Sequence, residues 1–182
     1  MKLRKKLIAG CVASAFLIAV SSFYFHKVWP YGGRTCCLPC TLSALEMYAG
    51  DHFGWFPQDG KTPLESLQSL YSKTNDYIAD IGLLAGISGN REETQKRVKA
   101  GLPVDESVSS WIYFPGFRDG DDSRIAIIWE RQEGISLNGR AYDGHAVGFL
   151  DGSIKQIPQA EWAGFLKEQE ALRQATLAKR KN

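Results

Sequence analysis

Once its amino terminus is set aside, the chain has no excess of basic side chains. Residues 1–27 hold five bases and no acid, leaving 17 basic against 20 acidic residues beyond and a body charge of about −3. Nucleic-acid binders need a basic face for phosphates, so that class is excluded. Cysteine is scarce, four in 182 residues, and three of the four crowd together as Cys36, Cys37 and Cys40. Histidine is scarcer still. A metal site on those thiols would need a further ligand from His26, His52 or His145, and none stands at a recognised ligand spacing from them. No internal repeat is visible. Apolar residues are not lacking: 44% hydrophobic against 23% charged is the balance of a folded protein. The length suits one ordinary domain with an appendage.

The absence of acids at the amino terminus has a second consequence. Lys2, Arg4, Lys5 and Lys6 precede an uncharged run from Leu7 to Phe25, close to the ~20 residues a helix needs to cross a bilayer. Phe23, Tyr24, Phe25 and Trp29 crowd its far end, as at a lipid–water boundary, and the basic cluster outweighs Lys27. The expectation is an uncleaved single-pass anchor with the amino terminus in the cytoplasm. Two alternatives fit less well. Cleavage at Ala13-Ser14-Ala15 would strand Phe16–Phe25 on the mature chain, and the lipoprotein-like Ile8-Ala9-Gly10-Cys11 has most of the apolar run after its cysteine. The chain then divides into a cytoplasmic basic segment (1–6), a transmembrane anchor (7–25), a linker (26–33) and an exported domain (34–182).

Trp29-Pro30-Tyr31-Gly32-Gly33 breaks the first helix. A second helix is predicted from about Thr35 to Ala49, its stripe being Leu38, Leu42, Leu45 and Tyr48 or Ala49, with Gly50 as its left-handed stop. Thr62-Pro63 reads as cap and first position of a short helix burying Leu64, Leu67, Leu70 and Tyr71. Ile78, Ile81, Leu83 and Leu84 suit a turn or two of amphipathic helix, and Glu92 to Ala100 is helix-prone. Trp111–Phe114 and Ile125–Trp129 read as strands about the turn Gly116–Asp122. Ala146–Leu150 and Ser153–Ile157 flank Asp151-Gly152, the signature of a two-residue hairpin turn of type I′. A last helix is predicted from Gln159 to about Ala178, burying Trp162, Phe165 and Leu166. The fold class is α+β: a membrane-spanning helix, a helix packed on a small antiparallel sheet, and a carboxy-terminal helix.

Two stretches resemble one family. Cys40 to Pro57 (CTLSALEMYAGDHFGWFP) resembles the segment after the anchor in bacterial type II secretion pseudopilin-like, prepilin-type proteins. Gly144 to Lys155 (GHAVGFLDGSIK) resembles their closing Asp-Gly hairpin, and Ile127-Ile128-Trp129-Glu130 fits the strand before it. Together they cover about half of the predicted exported domain. The chain departs from the family at the peptidase site. The fifth residue after Gly10 is Ala15 rather than Glu, and Pro30 and Gly32-Gly33 interrupt the long first helix. In the subgroup with a His nine residues before Asp-Gly, that His would fall at Ala141, whereas the chain has His145. The resemblance implies a pilin-like domain in a structural or adaptor protein on the outer face of the bacterial inner membrane, neither an enzyme nor a cofactor carrier. Its expected partners are membrane lipid, through Leu7 to Phe25, and a protein partner or further copies of itself.

Three groupings could carry chemistry. Cys37-Leu38-Pro39-Cys40 has the C-x-x-C spacing of redox sites, which makes a thiol–disulfide oxidoreductase the rival function. No strand of a βαβ unit precedes it, so a structural disulfide among Cys36, Cys37 and Cys40 is the plainer expectation. Cys36 or Cys37 with His145 as base and Asp143 or Asp151 as orienter has the residue types of a hydrolytic triad, although the turn already accounts for Asp151. Asp119, Asp121 and Asp122 offer hard oxygen ligands for calcium but lack the further ligands of an EF-hand, which favours a solvated acidic loop. No metal ligand is assigned.

Overall fold

A computed structural model describes residues 2–29, 37–71, 76–134 and 140–180, with side chains of the first helix from Ser14 onward. Helix α1 spans Lys2–Val28, α2 Cys37–Asp51, α3 Pro63–Gln68, α4 Arg91–Lys99 and α5 Gln159–Lys179. A 3-10 turn, Ile81–Ala85, precedes α4. Strands β1 Trp111–Tyr113, β2 Ala126–Glu130, β3 Gly144–Phe149 and β4 Ile154–Pro158 form one antiparallel meander in the order β1-β2-β3-β4. The protein is α+β.

The membrane-spanning expectation is corrected. Among the described residues no helix is long and apolar enough to cross a membrane. The part of the helix whose side chains are described, from Ser14 to Val28, carries Ser14, Ser21, Ser22, His26 and Lys27 among its apolar residues. The transmembrane anchor over 7–25 falls, and with it the single-pass inner-membrane placement of the rest of the chain. Cys11 and the Ala13 candidate site lie outside the described side chains, as do Pro30–Cys36 altogether.

Helix α2 buries Leu38, Leu42, Leu45, Tyr48 and Ala49, the stripe its spacing gives. It continues through Gly50 to Asp51, and the stop lies further on. Gly54 N–H donates to the Ala49 carbonyl at 2.8 Å with Phe53 at φ 56°, a left-handed cap filled by a non-glycine residue. Helix α3 starts where Thr62-Pro63 predicts, the Thr62 hydroxyl accepting from Glu65 N–H.

The sheet has helices on both faces. Ile125, Ile127, Ile128, Ala146 and Leu150 join Leu38, Leu42 and Leu45 of α2 in the larger core, together with residues of α3 and the 3-10 turn. Ala126, Trp129, Val147 and Phe149 form a second cluster against Trp162 and Phe165 of α5. Ile127 and Ile128 are consecutive yet share a face because β2 carries a register irregularity between Ala126 and Ile128. Leu166, predicted buried, is instead 36% exposed. The inward side of α5 continues through Gln169, Arg173 and Thr176, polar residues that an apolar stripe does not reveal.

The β3–β4 connection also differs from the expected type I′ turn. Phe149 N–H donates to the Ser153 carbonyl and Gly152 N–H to the Phe149 carbonyl, so Leu150, Asp151 and Gly152 form a three-residue loop. Gly152 takes φ 75° while Asp151 stays in the negative region, so the turn needs one left-handed residue and not two.

Candidate functional site

Glu130 is the most unusual polar group in the core. Four apolar residues of β2 lead to it, and pairing with Trp111 sets it beside Ser110 at the entrance to β1. The side chain is nearly fully buried, the residue being 2% exposed. Its Oε2 accepts from Ser110 Oγ at 2.5 Å and Ser88 Oγ at 3.3 Å, and its Oε1 from Ile87 N–H. Gly86, at φ 77°, closes the cradle, because a Cβ there would stand 2.3 Å from Ser110 Oγ and 2.7 Å from Glu130 Oε1. Burial pushes the carboxyl above its ordinary value, and the bonds from Ile87, Ser110 and Ser88 pull the other way. Arg131, next in sequence, turns outward to Glu106 at 3.4 Å.

This arrangement can hold and exchange a proton, and it fastens the loop 86–88 to the end of β2. A cavity of about 330 Å³ beside it is lined by Ser88, Asn90, Ser109, Ser110 and Arg131 but not by Glu130. Ser110, only 8% exposed, already hydrogen-bonds both Glu130 and the Ala85 carbonyl. The group therefore has the geometry of a latch.

Among the described residues, Cys37, His145 and Asp151 of the predicted site are not brought together. Cys37 is buried at the start of α2 in the larger core, Cys40 is disulfide-bonded, and Cys36 lies outside the described residues. His145 lies under α5 on the opposite face, its ring stacked on Trp162 at 3.9 Å and its Nδ1 3.2 Å from the Glu130 carbonyl oxygen. Burial lowers its pKa, partly opposed by that carbonyl and by Glu133. The sheet thus separates His145 from Cys37, and Asp151 Oδ1 is occupied by Ser153 N–H at 3.0 Å. Among the described residues, Cys37, His145 and Asp151 do not form a triad.

The acidic loop is paired with cations of the chain itself. Asp121 binds Arg180, and Asp122 accepts from Arg124 Nε at 3.0 Å and Nη2 at 2.7 Å. Among the described residues no group of three or more His, Cys, Asp or Glu could hold a metal ion. Sequence reasoning did not single out Glu130, Gln169 or Arg173 as site residues. A carboxylate ending an apolar strand, opposite a Ser-Ser pair entering the next, was the available signal for the first.

Comparison with protein-family models, curated proteins and solved structures finds no match.

Proposed function

We propose that the chain is a pseudopilin-like structural or adaptor protein that works through protein–protein contacts of α1. One observation carries this reading. Phe16, Leu17, Ile18, Val20, Phe23, Tyr24 and Phe25 are each about half or more exposed, whereas the leucines and isoleucines of α2 and β2 are buried. So much contiguous apolar surface on one helix is what an interaction element presents. The packing of α2 on an antiparallel sheet, and the fully displayed ring of Phe53 at 96% exposure, support the same reading. The burial of Cys37 and the disulfide at Cys40 give the rival oxidoreductase no accessible dithiol pair between these two residues.

The test is sedimentation of the full chain beside a Phe16→Glu/Phe23→Glu variant. The wild-type chain is expected to self-associate or to capture a helical partner. The variant should lose that association while keeping its helix content and thermal midpoint. Association unchanged by the two charges would overturn the proposal.

A further inference from the structure

The two edges of the sheet are not alike. On the β1 side α3 packs alongside the strand. On the β4 side, among the described residues, no helix or strand pairs with the outer edge, and no hydrogen bond beyond the hairpin uses the backbone of Ile154 or Gln156. The phase of the hairpin fixes which groups face out. Phe149 N–H donates to Ser153 O, so Lys155 and Ile157 turn their amides and carbonyls inward to β3, and those of Ile154 and Gln156 point away from the sheet. An edge of this kind is a template for another strand.

We infer that the β4 edge pairs antiparallel with the β4 edge of a second copy, across a two-fold axis at Gln156. Self-complementarity argues for this occupant. An isologous interface must place each residue against its own symmetry mate or against a partner it can tolerate. Centring the axis on Lys155 would set two ammonium groups directly opposite, which is destabilising. Centring it on Ile154 would draw the turn residues Asp151 and Gly152 into the ladder. Centring it on Gln156 uses the whole strand. Lys155 then lies opposite Ile157 of the second copy, and Ile154 opposite Pro158, whose missing N–H ends the ladder. The Gln156 amide, both donor and acceptor, is suited to meeting its own copy.

Two further features agree. Lysine on an edge strand ordinarily guards it, but the Lys155 ammonium is folded back over the Phe149 ring, 5.0 Å from its centroid. Beside β4 runs a groove of about 520 Å³ whose floor includes Phe149, Ile157 and Phe165 and whose rim carries Arg124 and Lys155 together with Glu161 and Glu168. A rim with both signs of charge can complement its own two-fold copy. This interface rests on β4 and is independent of the α1 contacts proposed above.

The experiment is oxidative cross-linking of the full chain with single cysteines introduced as Gln156→Cys and as Lys155→Cys, the unsubstituted chain giving the background. Hydrogen-bonded antiparallel partners lie about 5.5 Å apart at Cα, within disulfide range, whereas the two Lys155 positions would lie beyond about 7 Å in this register. Gln156→Cys should give at least tenfold more cross-linked dimer than Lys155→Cys, both in the otherwise native chain and with Phe16→Glu/Phe23→Glu. Gln156→Pro removes only an outward amide and should leave the fold intact by circular dichroism while weakening dimerisation at least tenfold. Equal cross-linking at the two positions, a preference for Lys155→Cys, or a monomer with no cross-link at Gln156→Cys would overturn the proposal. Loss of cross-linking only in the Phe16→Glu/Phe23→Glu background would also overturn it, by showing that α1 alone brings the copies together.

Discussion

Gly152 and Glu46 meet where the β3–β4 turn reaches α2: a Cβ on Gly152 would stand 2.0 Å from Glu46 Oε1. Glu46 is exposed, so its carboxylate can swing aside, whereas the φ of 75° at Gly152 cannot be relieved that way. Gly152→Ala is therefore expected to cost about 1 kcal/mol for the left-handed backbone, and Gly152→Val about 1–3 kcal/mol. In a Glu46→Ala background the cost of Gly152→Ala should change by less than about 0.5 kcal/mol. Asp151→Asn, which keeps the acceptor for Ser153 N–H, should be nearly silent. Denaturant midpoints of the five variants, Glu46→Ala alone and the double variant included, check this, and a large coupling between positions 46 and 152 would place the strain in the contact.

Glu130 should make stability depend on pH in a defined direction. Its carboxyl is held above the ordinary 4.5, mainly by burial, so the folded chain keeps this proton to higher pH than the unfolded chain. The contribution is full below about 4.5 and is lost as pH rises through the folded value. His145, lowered by burial, acts oppositely as pH falls below 6.5. Comparison with Glu130→Gln isolates the first term: the wild type should lose stability relative to the variant on going from pH 4.5 toward neutrality. Glu130→Ala, which orphans the Ile87 donor and empties the cradle, should cost about 2–3 kcal/mol below pH 4.5 and less as pH rises through the folded value. Urea titrations across that range decide it, and parallel curves for wild type and Glu130→Gln would refute the assignment.

The parts of the fold that were legible are those specified by local chemistry. Leu38, Leu42, Leu45 and Tyr48 mark the buried face of α2 through spacing alone, and Thr62-Pro63 announces α3 by its capping geometry. What escaped was set by tertiary context. Gly50 looked like a helix stop, yet α2 runs on to Asp51 and its left-handed cap falls at Phe53, where the bond from Gly54 to Ala49 closes the turn. Gln169 was illegible for a related reason. It is buried because its Oε1 accepts from Ala126 N–H at 2.7 Å and its Nε2 donates to the Arg124 carbonyl at 3.1 Å, extending the hydrogen bonding at the start of β2. A side chain serving as surrogate backbone leaves no apolar signature. The length of Leu7–Phe25 suggested a span, but among the described residues no helix is long and apolar enough to cross a membrane.

Phe53 offers a separable test of surface function. Its left-handed φ costs on the order of 1 kcal/mol for a residue with a Cβ, and at 96% exposure the ring recovers little by burial. Phe53→Gly should therefore raise stability by about 0.5–1 kcal/mol. If the ring is kept for contact with a partner, the same variant should bind that partner less well while melting later. A destabilised Phe53→Gly would show that the ring packs on the protein itself.

Arg180 makes the last prediction, because it decides whether the acidic loop is a ligand set. Its guanidinium lies over Trp55 and Phe117, 4.9 and 5.8 Å from their centroids, donates to the Gly116 carbonyl at 2.6 Å, and binds Asp121. Asp121 Oδ2 also accepts from Arg118 N–H at 2.9 Å, and Arg124 holds the Asp122 carboxyl down to about 2. A cation entering here would have to displace two guanidinium groups. Millimolar calcium should accordingly leave the thermal midpoint within about 1 °C, since a ligand that binds the folded state raises it by mass action. Arg180→Ala should cost about 1–2 kcal/mol by removing a largely desolvated, stacked and forked contact, and Arg180→Lys should restore little of it, because an ammonium lacks the planar fork. Calcium should not rescue Arg180→Ala. Rescue of that variant, or a calcium-raised midpoint in the wild type, would make Asp119, Asp121 and Asp122 a cation site and Arg180 its internal competitor.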